Sequence, residues 1–85
     1  MRIELRYFAG LREAVGLDRE SLELPPGVAD AAALREHLRA RGGPWADAMA
    51  ASRMLRVAVD QAMATPATPL RDGAEVAFFP PVTGG

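Results

Sequence analysis

The sequence predicts an α+β fold: a mixed sheet of short strands packed on one face by a single long helix. Period-two alternation at both ends of the chain gives the first and last strands. A helical-period apolar stripe, Val28, Ala31, Leu34 and Leu38, gives the layer that covers them. Breakers at Pro25-Pro26-Gly27, Gly42-Gly43 and Asp72-Gly73 separate the elements.

At the start, Ile3, Leu5 and Tyr7 alternate with Arg2, Glu4 and Arg6, the pattern of a half-buried strand. Residues Ala9 to Val15 place Leu11 beside Val15 and predict a short helix, with Gly16 as its left-handed cap. Glu20 to Leu24 returns to alternation, with Leu22 and Leu24 inward. The main helix is expected over Val28 to Arg41, with Asp30 as an N-cap or first-turn anion. Pro44 suits the first position of another short helix, through about Ala51. Leu55, Val57 and Val59 form the next strand, and Asp60-Gln61 turns into a short one near Ala62 to Ala64. After a loop rich in Thr and Pro, Leu70 tucks back and Ala74 to Phe79 makes the final strand. In the commonest arrangement of this order, the first and last strands are central and parallel.

Eighty-five residues make one domain, too small for a buried multi-residue active site. The expected division is a folded domain over residues 1–81 and a C-terminal tail over 82–85. Net charge is −1 with both signs interspersed, which argues against nucleic acid. No apolar run approaches a membrane span and the N-terminus lacks a signal-peptide core, so no membrane and a cytoplasmic location are expected.

The absences narrow the chemistry further. Without cysteine there is no thiolate nucleophile or persulfide relay on this chain. All ten basic residues are arginine, so Schiff-base chemistry and internal isopeptide acceptors are excluded. One histidine and no ligand cluster predict no metal site. His37 reads as a boundary residue of the main helix, and Trp45 as a cap on the core.

What remains is the end of the chain, Phe78-Phe79-Pro80-Pro81-Val82-Thr83-Gly84-Gly85. Pro80 and Pro81 fix φ and lack N–H groups, so the sheet stops there and the tail starts stiff. Val82 to Gly85 can then extend roughly 13 Å. Glycine has no Cβ, so Gly84 and Gly85 can thread a channel closed to other dipeptides. Adjacent strand residues face opposite sides, and Phe78 is in the buried phase with Val76; Phe79 therefore projects outward. Phe8 breaks phase from Tyr7 in the same manner. Two outward phenylalanines on neighbouring strands make a docking patch beside the tail.

This ending resembles the family of molybdopterin synthase small subunits, which are ubiquitin-like β-grasp sulfur carriers. The likeness extends through Tyr7-Phe8-Ala9, Leu11-Arg12-Glu13, Leu34-Arg35-Glu36-His37-Leu38, Trp45 and Val57-Ala58-Val59. The chain departs from the family at Asp60, usually Asn, and at Ala74, usually Asp. The resemblance implies that an ATP-dependent, E1-like activating enzyme adenylates the Gly85 carboxylate. A sulfur donor then displaces AMP and leaves a Gly85 thiocarboxylate. The tail, from Pro80 and Pro81 through Val82 and Thr83, inserts into the large subunit. There the sulfur passes to cyclic pyranopterin monophosphate to form the molybdopterin dithiolene. No cofactor is stably bound; ATP is used by the activating enzyme and sulfur rides covalently on Gly85.

The resemblance also adds Arg12 and Met63 to the docking surface with Phe8 and Phe79. Read from the residues alone, Met63 equally suits a hairpin residue that covers the sheet edge, and Arg12 a solvated charge. Three other functions share the sequence features: a ubiquitin-like protein modifier, a sulfur carrier for thiamine or tRNA thiolation, and a non-covalent interaction domain.

Overall fold

The computed structural model describes residues 1–81. Five strands, β1 (Arg2–Tyr7), β2 (Arg19–Glu23), β3 (Arg56–Val59), β4 (Ala62–Met63) and β5 (Glu75–Phe79), form one sheet in the order β2-β1-β5-β3-β4. Three helices, α1 (Ala9–Val15), α2 (Ala31–Arg39) and α3 (Pro44–Ala48), complete the fold. β1 and β5 are parallel and central, as the element order predicts, while the other pairings are antiparallel. No helix among the described residues is long and apolar enough to cross a membrane.

Strand parity in the sequence becomes the inner face of the sheet. Ile3, Leu5 and Tyr7 of β1 and Val76 and Phe78 of β5 are buried in one cluster with Leu34 and Leu38 of α2. Leu11 and Val15 of α1 and Ala48 of α3 close the same core from its end. Gly16 caps α1 at φ 78°, and its N–H donates to the Arg12 carbonyl. Only glycine takes this conformation without a Cβ penalty. The β3–β4 turn puts Asp60 and Gln61 at φ 50° and 67°. Asp60 Oδ1 accepts from the Glu75 N–H at 3.0 Å, so the carboxylate does at this turn what an asparagine carbonyl oxygen could.

The main helix is shorter than its apolar pattern suggests. It runs over Ala31–Arg39, with Val28 outside it, whereas the stripe pointed to Val28 through Arg41. Asp30 is extended at φ −137° and ψ 173° and bridges to Pro69. Its Oδ1 accepts from the Ala33 N–H at 2.8 Å, which makes it the N-cap. The N–H groups of Ala31 and Ala32 donate to the Thr68 and Pro66 carbonyls, so the 65–70 loop satisfies the open start of the helix. Val28 still packs against the core, from the strap that leads into the helix. The second short helix likewise stops at Ala48 rather than near Ala51. Arg35 takes over beyond it, donating to the carbonyls of Met49, Ala50 and Arg53. Burial lowers the pKa of this guanidinium.

A polar network seals the end of the core. Tyr7 Oη donates to Glu20 Oε1 at 3.1 Å and accepts from Trp45 Nε1 at 3.4 Å. Arg41 pairs with Glu20 at 2.7 Å and lies 5.0 Å over the Trp45 ring. Trp45 thus caps the core as its sequence context suggests. Burial, then the Glu20 carboxylate, push the Tyr7 phenol from 10.0 up to about 12 against the opposing Trp45 hydrogen bond.

Two stability predictions follow from these contacts. Asp30→Ala removes a cap bond and should cost about 1 kcal/mol, read as a lower denaturant midpoint at unchanged slope. The folded state favours the neutral Tyr7 phenol, so its contribution is complete below pH 10 and is lost as pH rises toward about 12. The chain has one tyrosine, so phenolate absorbance reports Tyr7 alone. Its midpoint should lie well above 10 in the folded protein, and urea stability should fall by up to about 3 kcal/mol across that window. Tyr7→Phe should flatten the fall.

Candidate docking surface and tail exit

Because β1 and β5 are parallel with Tyr7 opposite Phe78, the next residues, Phe8 and Phe79, leave their strands at one level. Phe8 remains extended at φ −124° and ψ 154°, so parity continues past the strand end and turns it away from the core. It is 41% exposed. Phe79 is half-buried, less open than parity alone implies. Ala9 then sits at φ 52°, and this left-handed residue, costing about 1 kcal/mol, sends the chain off the sheet into α1.

Other side chains of the open face follow from the register. Ala58 lies opposite both Met63 and Ala77, and Ala77 lies opposite Arg6, so these four form a row across four strands. Arg56 is opposite Phe79. Met63 is 60% exposed and stands on the edge strand, about 10 Å from β5 at ordinary strand spacing. It shares the open face with the phenylalanines and also borders a hollow between α2 and β3 with Leu55, Ala64 and Phe78. Arg12 is exposed on α1, one turn beyond Phe8. The Arg6 guanidinium carbon lies 5.4 Å from the Phe8 ring centre, which braces the ring by a cation–π contact.

Pro80 and Pro81 follow β5 directly and are half-buried. Val82, Thr83, Gly84 and Gly85, the proposed tail, lie outside the described residues. Pro80 borders a groove of about 180 Å³ with Gly10, Leu11, Ala14 and Met54. Met54 is 79% exposed, and sequence reasoning missed it. Its only signal was a large apolar residue between Arg53 and the start of the Leu55 alternation. Among the described residues, no group of three or more histidine or acidic side chains converges as metal ligands would.

The geometry is that of a domain whose central strand β5 ends, at Phe79 and Pro80, beside an exposed apolar residue, Phe8. The ThiS family model matches residues 5–85. The chain belongs to the ThiS family. The molybdopterin synthase sulfur carrier subunit of Escherichia coli (strain K12) is 43% identical over 83 residues, covering 98% of this chain and 99% of the relative. That of Haemophilus influenzae (strain ATCC 51907 / DSM 11121 / KW20 / Rd) is 40% identical with the same coverage. A solved Pyrococcus furiosus structure, provisionally named molybdopterin converting factor, subunit 1, superposes with a TM-score of 0.79. It is 27% identical, and the match covers 96% of this chain and 99% of that one. This ThiS-family member therefore has the ubiquitin-like β-grasp fold that its sequence resembles.

Proposed function

We propose that this protein is the sulfur carrier subunit of a molybdopterin synthase. The observation that carries the reading is positional. β5, paired on both sides, ends at Phe79 next to Phe8, and Pro80 begins the run to Gly84-Gly85 at that same level. Both curated relatives carry the sulfur carrier name across nearly their whole length.

The chemistry assigned to Gly85 is acyl activation. A carboxylate is a poor electrophile while ionised, with an ordinary pKa of about 3.5. An activating enzyme joins its oxygen to the α-phosphate of ATP, and pyrophosphate leaves. A hydrosulfide equivalent from the sulfur donor then attacks the acyl carbon and the acyl–phosphate bond breaks, so that AMP leaves and the thiocarboxylate remains. The sulfur is finally donated to cyclic pyranopterin monophosphate at the large subunit. Two charged carriers serve each dithiolene. Gly84 keeps the tip thin enough to enter that subunit, and no residue of the carrier serves as acid or base.

Docking is assigned to Phe8 and Phe79, with Arg12 and Met63 at the rim and Pro80, Pro81, Val82 and Thr83 leading inward. The large subunit and the activating enzyme are the partners, with a sulfur donor acting at the latter. Absence of lysine and cysteine means that one activated tail cannot acylate a side chain of another copy at those residues.

Intact mass of the protein from its native host should show the thiocarboxylate as a gain of about 16 Da, oxygen replaced by sulfur. Deleting Gly85 should abolish molybdopterin formation, and product from the deleted form would end the proposal. A ladder of conjugates to lysines of other proteins would instead identify a protein modifier. Phe79→Ala should weaken large-subunit binding on the order of tenfold or more while the unfolding transition stays cooperative. Unchanged affinity would remove Phe79 from the interface.

A further inference from the structure

The arginines of this chain divide into two groups. Arg2, Arg39, Arg41, Arg53 and Arg71 each have a carboxylate within 4 Å, and Arg35 is spent on backbone carbonyls. Among the described residues Arg12, Arg19 and Arg56 have none. Arg6 is paired with Glu75 at 3.8 Å, the same distance as the Arg2–Glu23 and Arg71–Asp60 pairs, but its Nε is buried without an acceptor.

These four share one end of the molecule. Arg19 begins β2 directly opposite Arg6, Arg56 is opposite Phe79, and Arg12 is one turn beyond Phe8. Glu13 beside Arg12 and Asp18 beside Arg19 make no ion pair with them among the described residues, and Glu20, on the other side of Arg19, pairs with Arg41. Like charges directly opposite in a sheet are destabilising, and in the Arg6–Arg19 pair only Arg6 has a carboxylate near it, Glu75 at 3.8 Å. A chain of net charge −1 thus gathers around its apolar patch the three arginines that have no carboxylate partner among the described residues, with the Glu75-paired Arg6 between them.

We propose that Arg6, Arg19 and Arg56 form a cationic rim that selects a protein partner whose docking surface carries carboxylates around an apolar centre. The inference rests on the sulfur-carrier reading, and its occupant is the large subunit of the same synthase. An apolar centre supplies affinity through burial. The charged rim supplies orientation and association rate, and discriminates against partners with a basic rim.

The test is association kinetics with the purified large subunit from the same organism, at low salt and at about 1 M salt, where the Debye length is about 3 Å. Arg19→Glu and Arg56→Glu should each slow association at low salt on the order of tenfold, with the differences collapsing at high salt. Arg71→Glu, at the opposite end of β5, should leave the rate unchanged. Matching unfolding curves verify that each variant is folded. Normal binding that ignores both salt and the two reversals overturns the rim and leaves the docking reading standing. Equally tight binding of a mixed-sequence oligonucleotide also overturns it, by assigning the arginines to a polyanion. Failure of the unaltered protein to bind the subunit at any salt overturns the sulfur-carrier reading and the rim together.

Discussion

Everything in this fold depends on the parallel pairing of β1 with β5. Parallel strands cannot be joined by a tight turn, so the chain from Phe8 to Ala74 is in effect one long connection between them. The register is held from both ends. At one, the Arg2 N–H donates to Asp72 Oδ1 at 2.7 Å and the Gly73 N–H donates to the Arg2 carbonyl at 2.7 Å. At the other, Tyr7 faces Phe78 with both side chains buried in the core. A one-residue slip of β5 would turn Phe79 inward and expose Phe78, and a slip of β1 would do the same to Phe8 and Tyr7. The same contacts that bury the core therefore fix which phenylalanines face away from it.

The helical layer serves that end of the sheet as well. Tyr7 is followed immediately by Phe8, and the hydroxyl of Tyr7 is tied to Glu20 and Trp45, which Arg41 joins. Three side chains from elsewhere in the chain, Glu20, Trp45 and Arg41, thus hold the residue that precedes Phe8. Arg35 plays the corresponding part across the molecule. By donating to three carbonyls after α3, it sets the course of the loop that carries Met54 to the groove beside Pro80. Neither residue touches a reacting atom. They position the two exposed surfaces on which the proposed docking rests.

How much of this was legible in the sequence depended on how local its cause was. Alternation at Ile3, Leu5 and Tyr7 and at Val76 and Phe78 needs only period two, so the strands, their inner faces and the outward phases of Phe8 and Phe79 could be read directly. Gly16 as a helix cap is equally local. The start of α2 was not, because Val28 fits the helical stripe and only the 65–70 loop, thirty-odd residues on, shows that Ala31 and Ala32 have their N–H groups taken elsewhere. Arg35 looked like any helix charge until the 49–53 carbonyls were placed against it. The arginine rim was hidden for a related reason. Arg6, Arg19 and Arg56 are far apart in sequence, and only cross-strand register brings them to one end of one face.

The prolines explain why that end stays open. β1 stops at Tyr7, β5 stops at Phe79, and β3 begins at Arg56, opposite Phe79, so all three central strands end at one level. A residue with an N–H at position 80 could have extended the ladder toward the residues on either side and laid the chain end along the sheet. Pro80 and Pro81 offer no such donors, so the pairing has nothing to continue with. The patch at Phe8 and Phe79 is then the truncated end of a sheet rather than a separate structure added to it. Removing two hydrogen-bond donors from the backbone both ends the ladder at Phe79 and leaves Phe8 exposed at the level where it stops.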